Sequence, residues 1–164
     1  AIAAQYLINH KKCHKSLIVD LDVHQGNGTA EIFQNNADVI TFSMHGQGNY
    51  PFRKETSDYD IPLSDKTDDT TYLSILQETL PELLNIHRPD FVFYLAGVDI
   101  LGTDKLGKLG CTLEGCKTRD SYVLGLCKSL GIPVQVSMGG GYSPAIKTRI
   151  EAHANTYRVA RALY

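Results

Sequence analysis

The residues able to do chemistry in this 164-residue chain gather in three short stretches. The first reads Asp20-Leu21-Asp22-Val23-His24-Gln25-Gly26-Asn27-Gly28. In an extended D-x-H segment side chains alternate with period two, so Asp22 and His24 point to the same side. A carboxylate and an imidazole so placed can grip one divalent metal. Asp20 has the same parity but lies deeper, where a charge needs a partner or an ion. A plain turn, with Asp22 as its cap and His24 as a hydrogen-bonded loop histidine, also fits this stretch. The tight glycine turn that follows the acids favours a crowded site.

The second stretch is Ala96-Gly97-Val98-Asp99-Ile100-Leu101-Gly102-Thr103-Asp104. Asp99 stands among apolar neighbours, a costly place for an unpaired carboxylate, and a third metal ligand or a turn cap would account for it. Asp104 reads as the more solvated acid. The third stretch is Met138-Gly139-Gly140-Gly141-Tyr142-Ser143-Pro144. Its glycines let backbone approach a ligand closely, and the Tyr142 phenol can donate to a developing oxyanion. No P-loop spacing follows, which disfavours phosphate binding. Two carboxylates and one imidazole leave a coordination position open, the arrangement of a catalytic metal, and metal-assisted hydrolysis is the leading chemistry.

These stretches need elements to hold them. Residues 1–10 read as a helix, Ser16–Asp20 as a buried strand, 27–35 as a short helix and 38–43 as a second strand. Residues 46–65 read as a polar loop. A long helix follows over Asp69–His87, with Pro81 a point of kinking. The remainder reads as a strand at 90–95, a helix at 112–130, a strand at 133–137 and a helix at 144–163. Continuously apolar strands separated by helices predict an α/β fold: a three-layer parallel sheet with helices on both faces. In such sheets ligands bind beyond the carboxyl ends of the strands, where all three stretches fall.

Composition bounds the function. The chain is 43% hydrophobic and 21% charged, with a formal net charge of −2, so it lacks the basic footprint of a nucleic-acid binder. No apolar run approaches the roughly 18–20 residues of a membrane span. Cys13, Cys111, Cys116 and Cys127 form neither a CxxC pair nor a zinc-ribbon spacing, and read as buried thiols of a cytoplasmic protein. The first residue is not Met, and the apolar-then-basic N-terminus is the reverse of a secretory signal.

The strings VDLDVHQGNGTAEIF, LAGVDILGTDKLGKL and MGGGYSP, in this order, resemble the histone deacetylase superfamily, also called the arginase–deacetylase fold. HQGNG is similar to the bacterial and class IV branches more than to class I, whose motif usually has a second His at Gln25. The resemblance implies that Asp22, His24 and Asp99 are ligands of zinc, or sometimes iron. It implies that Tyr142 hydrogen-bonds the substrate carbonyl and the oxyanion, and that Gly139, Gly140 and Gly141 line an acyl-lysine channel. Asp20, Ser43 and the backbone oxygens of Asp22, His24 and Met44 would hold a monovalent cation, usually potassium. The implied substrates are acetyl-lysine, acetylpolyamines or related acyl amines.

The same resemblance exposes a departure. The family's proton-transferring His-His pair lies upstream of the first strand, whereas His10, His14, His24, His45, His87 and His153 include no adjacent pair. The expectation is that residues 1–164 form the C-terminal part of one deacetylase domain and that this chain alone is inactive. Asn27 stands where some relatives have the aspartate that orients one dyad histidine. An arginase-like two-metal hydrolase is disfavoured for lack of further D-x-D ligands. A non-catalytic metal-holding scaffold is the rival from another class.

Overall fold

A computed structural model describes all 164 residues. The strands are β1 (Ser16–Asp20), β2 (Val39–Gly46), β3 (Tyr59–Leu63), β4 (Phe91–Gly97) and β5 (Val134–Gly139). The helices are α1 (Ile2–Asn9), α2 (Asn27–Phe33), α3 (Asp69–His87), α4 (Leu113–Ser129) and α5 (Ile146–Leu163). All strand pairs are parallel, in the order β3-β2-β1-β4-β5.

Strand parity sorts the apolar side chains between two faces. Leu17 and Val19 of β1, Ile40, Phe42 and Met44 of β2, and Val92, Tyr94 and Ala96 of β4 join the main core with α3, α4 and α5. Ile18, Val39 and Phe93 point the other way, onto Ala4 of α1 and Phe33 of α2. Helices therefore cover both faces, as the unbroken apolar runs of the strands predict. Asp68 caps α3 by accepting from Thr71 N, and Thr112 caps α4 by accepting from Gly115 N. Pro81 is accommodated inside a continuous α3.

The sequence reading of residues 46–65 as a loop needs correction, because β3 lies inside it. Tyr59-Asp-Ile-Pro-Leu carries a proline and only one fully buried residue, features that a strand tolerates at the edge of a sheet and not at its centre. The strand order places β1 and β4 side by side, with the chain running outward from each. The crevice at their carboxyl ends is the topological switch point where open α/β sheets bind ligands.

Candidate metal centre

Asp22 and His24 leave the end of β1, and Asp99 follows β4, so the switch point collects all three. One ligand atom from each lies within 4.8 Å of the others. His24 Nδ1 donates to Asp22 Oδ1 at 3.0 Å and stands 3.2 Å from Asp99 Oδ2. Val23 N donates to Asp99 Oδ1 at 3.0 Å, which ties the two loops together. Apart from this contact with the His24 ring, Asp99 Oδ2 is buried without a hydrogen-bond partner.

Electrostatics follow from this crowding. Hydrogen bonding to Asp22 and then Asp99 outweighs burial and lifts the His24 imidazole to about 10. Burial pushes Asp99 above the ordinary carboxylate range. Asp22 feels the same burial, yet its bonds with His24 bring it below that range. Burial pushes Asp20 up to about 8, with Asp22 N its one hydrogen-bond donor, at 3.1 Å. Two carboxylates and one imidazole at a single point, with the Asp20 carboxylate nearby, suit a cation. The donor set of two carboxylates and an imidazole, with one buried carboxylate oxygen met only by that imidazole, fits a divalent ion.

Glycines make the room. A Cβ at Gly97 would sit 2.6 Å from Asp22 Cα, and one at Gly139 would sit 2.9 Å from Asp22 Oδ2. Gly140 has φ +60°, and a Cβ there would strike the Asp99 carboxylate. Gly141 instead faces Val98 and His153. Asp20 pairs in register with Ser43, and the two share a cavity of about 10 Å³ with Gly26 and their neighbours. Ser43 Oγ hydrogen-bonds His45 Nδ1 at 3.0 Å, and Met44 beside it is fully buried.

Tyr142 lies outside the acid cluster. Its ring is half exposed and lines an open cavity of about 270 Å³ with Lys105, Leu106 and Arg149. Its backbone N–H donates to Asp104 Oδ2 at 2.5 Å, while Asp104 Oδ1 accepts from Leu106 N and Gly107 N. Asp104 is the more solvated of the two acids, half-buried where Asp99 is fully buried, and it also organises this loop. Gln25 is buried and bonds the backbone of Glu55 in both directions, and its amide also donates to Asp60.

The sequence reading also missed Arg119 and Asp120, both completely buried in α4. Their signal was present. Each lies three or four residues from Cys116 or Val123, so both charges fall on the apolar stripe of the helix.

A profile of the histone deacetylase domain matches residues 1–157. The chain belongs to the histone deacetylase domain family. Among relatives of this family, an uncharacterized protein of Picosynechococcus sp. is 45% identical over the whole chain, which spans 55% of that relative. The Saccharomyces cerevisiae histone deacetylase RPD3 is 34% identical over 77% of this chain and 31% of its own length. The crystal structure of the HDA15 HD domain matches with a TM-score of 0.78 at 27% identity, covering 98% of this chain and 49% of that one. The acetylpolyamine aminohydrolase of Burkholderia pseudomallei matches with a TM-score of 0.79 at 26% identity, covering 99% and 48%. The fold is thus the arginase–deacetylase fold, and the chain spans about half the length of these solved deacetylase-family structures.

Proposed function

We propose that this chain carries the metal-binding half of an amidohydrolase site that removes acyl groups from lysine side chains or related amines. The observation that supports it most directly is the convergence of Asp22, His24 and Asp99 at the switch point, with Asp99 Oδ2 buried and facing only the His24 ring. The Asp22 and Asp99 carboxylates and His24 Nδ1 would hold zinc, with iron(II) as the second choice, and leave coordination positions open. A divalent ion so held supplies Lewis acidity toward an amide carbonyl and lowers the pKa of water.

The remaining roles belong to the chain's own groups. The Tyr142 phenol, which lines the neighbouring cavity, would turn toward the acids to donate a hydrogen bond to an oxyanion at the carbonyl. Gly139 and Gly140, without side chains, leave space beside the acids for an acyl group. Asp20 and Ser43, with the backbone oxygens of Asp22, His24 and Met44, seat a monovalent cation, potassium in this reading. A positive charge there would keep the Asp20 carboxylate ionised despite its burial. The cavity beside Asp20 has roughly the room of one water-sized body, which agrees with a single ion.

Proton transfer to the leaving amine needs a base and an acid that these residues do not supply. No two of the six histidines are adjacent in sequence, and the dyad is assigned to residues outside these 164. The substrate class is an acylated amine. RPD3 and the aminohydrolase bear names for its two main forms, histone and polyamine.

The test pairs the 164-residue chain with a segment bearing the His-His pair and offers acetyl-lysine peptides and acetylpolyamines with zinc. Acetate release by the complemented protein and none by the chain alone is the expected result. Zinc-dependent hydrolysis by the chain alone would remove the dyad from the account. No hydrolysis by the complemented protein would remove the activity.

A further inference from the structure

Asp20 and Leu95 are the last register pair between β1 and β4; Leu21 N still donates to Leu95 O at 3.2 Å, and the chain then enters the loops that carry Asp22, His24 and Asp99. Besides Asp99, which accepts from Val23 N, a buried cation links the two strand ends. Arg119 Nη1 donates to Leu21 O at 3.2 Å and to Gly97 O at 2.6 Å. Leu21 immediately precedes Asp22, and Gly97 lies two residues before Asp99. The guanidinium thus joins the two carbonyls that lie just past the last β1–β4 backbone bond, Leu21 N to Leu95 O.

Its own position is fixed from the opposite side. Arg119 Nε and Nη2 reach Asp120 Oδ1 at 2.9 Å and 2.8 Å. Tyr94 OH donates to the same oxygen, and Thr156 Oγ1 donates to Asp120 Oδ2 at 2.6 Å. Arg119 Nη2 also donates to Cys116 Sγ at 3.4 Å. The clamp is therefore buried, charge-balanced and anchored on β4, α4 and α5. A planar fork with several donors can hold two carbonyls and a carboxylate at once, and an ammonium cannot reproduce that geometry.

We propose that Arg119 is a positioning residue of the metal centre, setting the separation of the β1 and β4 loops so that Asp22, His24 and Asp99 converge on one ion. The inference rests on the metal-centre reading above, and its test keeps the two apart. Cobalt(II) is titrated into the purified chain and its Arg119→Lys and Asp22→Ala variants, following the visible absorption band that reports ligand geometry. Circular dichroism gives the folded fraction of each variant.

The wild-type chain is expected to bind one cobalt, and Asp22→Ala to lose it. Arg119→Lys is expected to bind about tenfold more weakly per folded molecule, the scale of groups that orient metal ligands, and with an altered visible band. A folded Arg119→Lys with wild-type affinity and an unchanged band overturns the positioning role and leaves the metal centre standing. No cobalt binding by the wild-type chain overturns the metal centre itself, and the positioning role with it. If Arg119→Lys does not fold, Tyr94→Phe carries the test by removing a hydroxyl that holds Asp120. A weaker affinity with a shifted band supports the clamp there, and an unchanged affinity and band overturn it.

Discussion

Replacing Asp120 with Asn probes the buried ion pair with little change of shape. Both partners are fully buried, and Asp120 accepts from Arg119, Tyr94 and Thr156. The amide oxygen can keep the Tyr94 and Arg119 bonds. The amide NH₂ can donate to Thr156 Oγ1 once that hydroxyl turns toward Ala152 O, its second neighbour at 3.5 Å. Shape and hydrogen bonding therefore survive, and the main loss is the negative charge beside a guanidinium that cannot shed its proton. Removing one partner of a buried pair costs about 3–5 kcal/mol, because the other charge is left uncompensated. For a domain of this size that corresponds to a Tm lower by roughly 6–20 °C. Urea unfolding followed by circular dichroism measures it, with Glu151→Ala as the control. The Glu151–Arg158 pair is shorter, at 2.6 Å, but more than 40% exposed on both sides, and its loss is expected to cost about 0.5 kcal/mol. Asp120→Asn within about 1 kcal/mol of wild type would refute the claim that this pair is an anchored clamp.

Three further outcomes follow from single contacts. Asp90 resists burial by accepting from the Cys13 thiol and the N–H groups of His14 and Lys15, which brings its carboxyl down to about 2. A folded value below the unfolded one stabilises at higher pH and is lost as pH falls through about 2, so the Tm gap between wild type and Asp90→Asn should be wider at pH 6 than at pH 2. Because Asp90 is 45% exposed, that gap is on the order of 1 kcal/mol, and a pH-independent gap would contradict the assignment. Gly97→Ala should cost about 1–3 kcal/mol in urea unfolding, because its Cβ meets Asp22 backbone that cannot move without the loop. Asp104→Ala should release the Tyr142 backbone and the Leu106–Gly107 turn, seen as faster amide exchange at Tyr142 and Gly107, and unchanged exchange would contradict it.

The sheet was legible because its central strands are apolar without interruption, a pattern that only a doubly covered parallel sheet buries. β3 escaped because Pro62 and the half-exposed Asp60 and Ile61 are edge features that resemble a loop. Asp22, His24 and Asp99 were legible because each sits just past a readable strand end. The roles of Arg119 and Asp104 were not. Their partners are backbone groups 98, 22 and 38 positions away in sequence, distances that local pattern does not encode. Gly140 could be read as freedom for the backbone, but only the fold reveals that its missing side chain clears the Asp99 carboxylate.

The central claim is that Asp22, His24 and Asp99 hold one divalent metal. Equilibrium dialysis of zinc against the wild-type chain and Asp99→Asn tests it most directly, since Asn keeps the acceptor for Val23 N while replacing the metal-facing Oδ2 with an amide NH₂ that cannot ligate a cation. The account predicts one tightly held zinc per wild-type chain and an affinity at least about tenfold weaker in a folded Asp99→Asn. Equal zinc binding by the two proteins would contradict it.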